Sequence, residues 1–439
     1  MARLLGMEAP EVRPVVQTAP LPDDADDPAI WVHPHDPRLS LILGTNKARA
    51  PRGAIGVYDL GGRILQRIDR IDQPNNVDVA YGFALGHERV DIAVATERYA
   101  SRLRIFQIDP VRRRLVDITD PEGARVFAGE SGERAMPMGI ALYQAGRGEV
   151  HAIVSRKSGP KQGYLHQYRL VPTRGGRVGV QLVRAFGAFS GKGEIEAVCV
   201  DSELGYVYYA DEGVGIRKYH ADPRHPEREI ALFATDYKGD QEGIALYAPP
   251  NGAGYLLCTE QIKGGSKLHI YPRFGVQRTP ILTVQTGADD TDGLDASAHN
   301  FVAPFEQGLV VAMNSEGRNF WLYRWSDIEQ LLAKRAQYNG YNPCVREIEQ
   351  SLAQTYRRLT YTSAVLMAVG WVWHVLRGDQ TNWLITLGLG LMLLTPLIAL
   401  AHLAWLAKPV ERLASRYSIV ALILLALAVL VGLVLGRTR

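Results

Sequence analysis

Cysteine is nearly absent: Cys199, Cys258 and Cys344 are the whole supply in 439 residues. Three scattered thiols exclude a disulfide framework and a CxxC metal site, and leave plain core or surface thiols. The stretch Met1 to Glu8 holds no apolar run of the length a secretory leader needs, because Glu8 and Glu11 interrupt it, so no export signal is expected. Before residue 326 no long apolar run keeps a helical period, which argues against an α/β fold. Basic residues interleaved with aromatics are also missing. The formal charge of +3 belongs to the tail: residues 340–439 carry 9 Lys/Arg against 4 Asp/Glu, a net of +5, which leaves the first 339 residues near −2. No nucleic-acid partner is expected.

What fills the chain up to about residue 335 is strand after strand with a recurring opening. Gly239-Asp240-Gln241-Glu242-Gly243-Ile244 sets two carboxylates one residue apart before a glycine and a short apolar strand. Variants stand at Asp26-Asp27-Pro28-Ala29, Asn76-Val77-Asp78-Val79, Met138-Gly139-Ile140-Ala141, Glu194-Ile195-Glu196-Ala197 and Asp292-Gly293-Leu294-Asp295. Six starts spaced by roughly 50 to 60 residues fit one four-stranded blade per repeat, each burying its faces only against its neighbours. The spacing predicts an all-β fold, a six-bladed β-propeller over residues 11–335, with residues 1–22 as a lead-in that supplies one ring-closing strand.

The repeated acidic positions are Asp26, Asp27, Asp78, Glu196, Asp211, Glu212, Asp240, Glu242, Asp290, Asp292 and Asp295. A carboxylate before glycine in an ordinary turn caps backbone N–H groups and does nothing more. Repeated across blades whose inner ends converge, however, carboxylates raise one another's pKa or demand a cation. Hard oxygen ligands, with Gln261 as a neutral oxygen nearby, suit Ca²⁺. Basic residues follow the same geometry, each ending an inner strand: Lys47, Arg98, and the pair Arg156 and Lys157. Cations opposite a metal cluster suit a ligand that carries phosphate groups.

At these residues the chain resembles the β-propeller (alkaline) phytases. The resemblance runs in order through Asp26-Asp27-Pro28-Ala29-Ile30-Trp31, Asn75-Asn76-Val77-Asp78, Asp201-Ser202-Glu203-Leu204-Gly205-Tyr206, Asp240-Gln241-Glu242-Gly243 and Asp290-Thr291-Asp292-Gly293. It implies removal of phosphate from myo-inositol hexakisphosphate, of the 3-phytase type, by a water activated on several Ca²⁺ ions. It further implies that Asp26, Asp27, Glu196, Asp211, Asp240, Glu242, Gln261 and Asp290 hold calcium, with Glu242, Asp240 and Glu196 closest to the chemistry. Lys47, Arg98 and Lys157 would hold phosphate. There are departures: Met138 stands where the family often has a tyrosine, Ala48 where a second lysine is common with only Arg49 to replace it, Ala80 for an arginine and Ala197 for a glycine. Two rival readings stay open, a one-metal propeller hydrolase such as a lactonase and a non-catalytic ligand-binding propeller coupled to a membrane domain.

After Pro343 the chemistry changes. Residues 336–360 read as a helical linker, and 361–436 as three transmembrane helices, Tyr361–Leu376, Trp383–Leu406 and Ile419–Leu435, the last two long enough to cross a roughly 30 Å hydrocarbon layer and the first only just. This tail weakly resembles uncharacterised bacterial three-helix membrane proteins, which implies an integral protein of the bacterial inner membrane with the lipid bilayer as partner. Loop charges at Arg357, Arg358, Lys408, Arg412 and Arg416 place the propeller in the cytoplasm by the positive-inside rule. Calcium and exogenous phytate argue for the other side, so the sequence leaves sidedness open.

Overall fold

In the computed structural model, which describes residues 9–250 and 253–339 and the isolated positions Thr362, Val365 and Val369, the repeats become six four-stranded antiparallel sheets. In five of the sheets the strands lie in sequence order from the channel outward and are joined by hairpins; the sixth takes its outermost strand from the start of the chain. The inner strands are Ala25–Trp31, Pro74–Leu85, Pro137–Gly146, Val198–Asp201, Gln241–Tyr247 and Leu294–Ser297. Each touches the next, and the sixth touches the first. The protein is a six-bladed β-propeller. The sixth blade has only three strands of its own; Val16–Gln17 completes it, pairing Val16 with Leu322 and Gln17 with Trp321. Early and late chain segments thus share one sheet, and unravelling either end must break those pairs.

A lone blade exposes two apolar faces, and the packing shows how stacking covers them. Six hydrophobic clusters occur, one between each neighbouring pair of blades. Ala29, Trp31 and Leu43 meet Val77 and Ala95 between blades 1 and 2, for example, and Ile140 and Leu142 meet Val94 and Ile105 between blades 2 and 3. The helix Trp325–Asn339 follows the last strand and buries Ile328 and Leu332 against blades 5 and 6, with Trp325 stacked on Tyr247 at 3.5 Å. Among the described residues no helix is long and apolar enough to cross a membrane. From residue 340 on, the linker helix and the three apolar runs at 361–376, 383–406 and 419–435 lie outside the described residues, apart from the isolated positions Thr362, Val365 and Val369.

Candidate functional site

The site begins with a backbone irregularity repeated from blade to blade. Pairing passes from Ala25↔Asn46 to Pro28↔Gly44, from Pro74↔Glu97 to Val77↔Ala95, from Pro137↔Arg156 to Ile140↔Val154, and from Gln241↔Glu260 to Ile244↔Cys258. Three inner-strand steps oppose two on the partner, which is a β-bulge, a device that re-aims side chains. In blade 4 the bonds from Glu212 N to Glu194 O and from Ala210 N to Ala197 O give the same offset. A bulge leaves a backbone N–H without its ladder partner, and a buried hydroxyl supplies one. Thr45 Oγ1 accepts from Asp27 N at 2.9 Å, Thr96 Oγ1 from Asn76 N at 3.2 Å and Ser155 Oγ from Gly139 N at 2.8 Å. Each hydroxyl also donates to the next blade, to Asn75 O, Met138 O and Ile195 O respectively, so bulge and ring closure share a pin.

Backbone bonds then put the blades in register. Lys47 N donates to Asp24 O, Arg98 N to Gln73 O, Lys157 N to Met136 O, Glu212 N to Glu194 O and Gln261 N to Asp240 O. Two residues beyond each acceptor stand Asp26, Asn75, Met138, Glu196 and Glu242. Two concentric rings result, an inner one of mostly carboxylates and an outer one that is basic through blades 1 to 3. Blade 6 adds Asp292 to the inner ring.

Asp26, Glu196, Glu242 and Asp292 line one cavity of about 130 Å³. Lys47 Nζ lies 2.8 Å from Asp26 Oδ1 and 3.2 Å from Glu196 Oε2, and the Arg98 guanidinium lies 3.6 Å from Glu196 Oε1. Asn75 Nδ2 donates to Glu196 Oε2 at 3.0 Å. Lys157 pairs with Glu194, whose carboxyl is in hydrogen-bonding reach of Glu196. Gln261 Nε2 donates to Asp292 Oδ1.

Charge does not balance here, since the buried carboxylates outnumber the two cations among them. Burial would raise Glu196, but Lys47, Arg98 and the Asn75 amide pull it down to about 2. Its neighbours go the other way. Asp26 rises to about 6 through burial, which outweighs Lys47. Glu212 rises to about 7 through burial and then the Glu196, Glu194 and Asp240 charges. Asp292 is pushed up to about 9 by burial and Asp26. Glu242 is held well above the carboxylate range by burial, then Glu212, Glu196 and Asp292. Such groups are ready to exchange a proton for a metal ion.

The remaining expected residues divide. Asp240 is exposed at the rim, near enough to raise Glu212. Asp290 is half-buried with φ at 45°, a left-handed conformation uncommon outside glycine and more often tolerated by aspartate. Asp27 gives Oδ2 to Val77 N at 2.9 Å, and Asp78 and Asp295 likewise accept from Leu142 N and Ile30 N. These three clamp one blade's inner strand to the next. Asp211 is not in the cavity: it is fully buried, 2.8 Å from Arg217 Nε and 2.9 Å from Ser190 N. The residue in register with Lys47, Arg98, Lys157 and Gln261 is Glu212, one position on. Arg49 points away from the cluster, paired with Asp72 and lying 3.5 Å over the Tyr99 ring.

The family model described as Phytase matches residues 8–340. This chain belongs to the phytase family. It is similar to the 3-phytase of Bacillus subtilis (strain 168), 32% identical over 332 residues that cover 71% of this chain and 82% of that protein. Among solved structures it is similar to Kuenenia stuttgartiensis hydrazine synthase, at 14% identity and a TM-score of 0.41, covering 68% of this chain and 83% of that one. That likeness is too distant to bear on activity.

For a phytase-family chain the donor set is the relevant test, and it fits a hard cation. Every inner-ring contributor except Met138 offers a side-chain oxygen, and Asp26 Oδ2 is buried with no donor among the described residues. As placed, no three Asp, Glu, His or Cys side chains among the described residues enclose a common ion; Lys47 joins Asp26 and Glu196 instead. Met138 is fully buried and brings no polar group, so the third blade leaves a gap in the ring. Ala80 lies in the core between blades 2 and 3, and Ala197 lines the cavity. The residues that sequence reasoning left out of the ligand set are Glu212 and Asp292. Counting from the strand end rather than from the acidic pair would have found Glu212.

Proposed function

We propose that this phytase-family chain is a calcium-dependent phosphomonoester hydrolase that releases phosphate from myo-inositol hexakisphosphate. The observation that carries the reading is the meeting of Asp26, Glu196, Glu242 and Asp292 from four blades, beside Lys47 and Arg98 from two. Asp26, Glu196, Glu212, Glu242 and Asp292 are the groups that would hold calcium, with Gln261, Asp240 and Asp290 at the edge. Bound calcium would neutralise their charge, lower the pKa of a coordinated water and polarise the phosphoryl group. Lys47, Arg98 and Lys157 bind the phosphate oxygens; Lys47 first has to leave Asp26 and Glu196. Glu242, which lines the cavity with Glu196 and Asp292, would act as general base toward the attacking water once a bound cation has displaced its own proton.

Glu242→Ala should lower phosphate release from phytate by about a hundredfold or more while the near-ultraviolet circular dichroism stays that of wild type. Unchanged release would remove Glu242 from the reaction. Met138 favours a second reading, a propeller that binds phosphorylated ligands without turnover. Wild-type chain that binds phytate but releases no phosphate would support it. A lactonase would release no phosphate from phytate, would open a lactone in a separate assay and would ignore Lys47→Met there.

The proposal extends to the membrane on the sequence of the tail alone. The three apolar runs make the chain an integral membrane protein, with the propeller's side unassigned. Extraction of membranes with alkaline carbonate should leave the chain in the pellet; recovery in the supernatant would contradict an anchor.

A further inference from the structure

The last residue of the second strand is a buried polar side chain in every blade: Asn46, Glu97, Arg156, Asp211, Glu260 and Asn314. Five of them do the same thing. Asn46 Oδ1 accepts from Asp23 N and Asp24 N at 3.2 and 3.1 Å. Glu97 Oε1 accepts from Asp72 N at 2.9 Å, and Asn314 Oδ1 from Asp289 N at 2.9 Å. Asp211 takes Ser190 N at 2.9 Å and Ser190 Oγ at 2.7 Å. Glu260 Oε1 takes Lys238 N at 2.7 Å and Gly239 N at 3.3 Å. In each case the N–H belongs to the loop that leads into that blade's inner strand.

The third blade is the exception. Arg156 accepts nothing; it donates to Tyr164 O and Gly163 O and pairs with Glu130. Its blade is the third, whose inner strand opens Pro137-Met138-Gly139 and brings no polar side chain to the cavity. Acceptors therefore occur where a loop delivers a polar group, and the acceptor is lacking where it delivers none.

We propose that Asn46, Glu97, Asp211, Glu260 and Asn314 are positioning residues, which fix the entering loops so that the inner-ring oxygens point into the cation site. Asp211 is then a loop anchor and not a ligand. The anchors are themselves held: Glu260 Oε2 lies 3.0 Å from His269 Nε2, and His269 is stacked under Tyr237 and bonded to Thr283. Asp211 is braced by Arg217, which also reaches Glu229. An outer partner held this firmly sets the orientation of what it touches. The inference rests on the cation-binding reading above.

The test uses the full chain and two readouts, calcium affinity by titration calorimetry and hydrogen exchange of the Lys238, Gly239 and Ser190 amides. Asp211→Asn and Glu260→Gln keep an acceptor oxygen, and Asp211→Leu and Glu260→Leu remove it. The amide variants should stay within about threefold of wild-type calcium affinity, whereas the Leu variants should lose about tenfold or more. The loop amides should stay protected in the first pair and exchange faster in the second. Asp211→Asn weakening calcium as far as Glu242→Gln does would make Asp211 a ligand and overturn the proposal. Leu variants with wild-type protection would overturn it as well. If the wild type bound no calcium, the cation reading would fail separately, and amide exchange would still decide whether the loops are anchored. Asp211→Asn, the gentlest change, decides the role of Asp211 even where a Leu variant does not fold.

Discussion

At the scale of single residues, the site is defined by carboxylates that the fold forces together and only partly neutralises. Asp292 at about 9, Glu212 at about 7 and Glu242, held well above the carboxylate range by burial, keep protons that an unfolded chain would release near its ordinary carboxylate pKa. The sign follows directly. Folded-state pKa values above the unfolded ones mean stability that is present in acid and lost as pH rises through them. Glu196, at about 2, works oppositely, but its contribution is lost only in strong acid. The metal-free chain in chelator should therefore melt at lower temperature as pH goes from about 5 to about 9, and added calcium should raise the midpoint most at the upper end. Calorimetry over that range checks it, and a flat or rising midpoint would contradict it. Residue types alone showed that such a cluster exists. They could not show that Asp27, Asp78 and Asp295 are committed to backbone N–H groups of the next blade, or that Glu212 and not Asp211 lies close enough to Glu196 and Glu242 to share their charge. That information sits in which residue a strand ends on, and a shift of one reverses the side-chain face.

At the scale of elements, bulge, hydroxyl pin and entering loop form one unit used blade after blade. The strands were legible because alternating apolar runs broken by Gly and Pro have no helical reading. The bulges were not, because an extra residue leaves no mark in composition; the repeated Thr45, Thr96 and Ser155 ahead of Lys47, Arg98 and Lys157 were their trace. Thr96 Oγ1 joins Asn76 N to Met138 O across two blades. Thr96→Val keeps the shape and strands both backbone groups, so urea unfolding should show about 1–3 kcal/mol lost. An unchanged midpoint would mean that water replaces the hydroxyl and that the pin is not a structural requirement.

At the scale of the whole molecule, the clustered carboxylates lie far apart in sequence, from Asp26 to Asp292, and are brought together only by closing the ring. Val16–Gln17 completes that closure from the start of the chain, while the carboxylate-lined cavity sits at its inner edge. Folding and formation of the cavity are then one event, and a six-fold repeat in the sequence was enough to read the architecture. The order of the repeats did not reveal how Lys47 is used: it stands between Asp26 and Glu196, where a divalent ion would compete with it. Phosphate release from phytate by the full chain, followed against free calcium set with a chelator buffer, tests this most directly. Release should vanish at the lowest free calcium, return when the ion is restored and saturate as the carboxylates fill. Undiminished release in excess chelator would contradict the account.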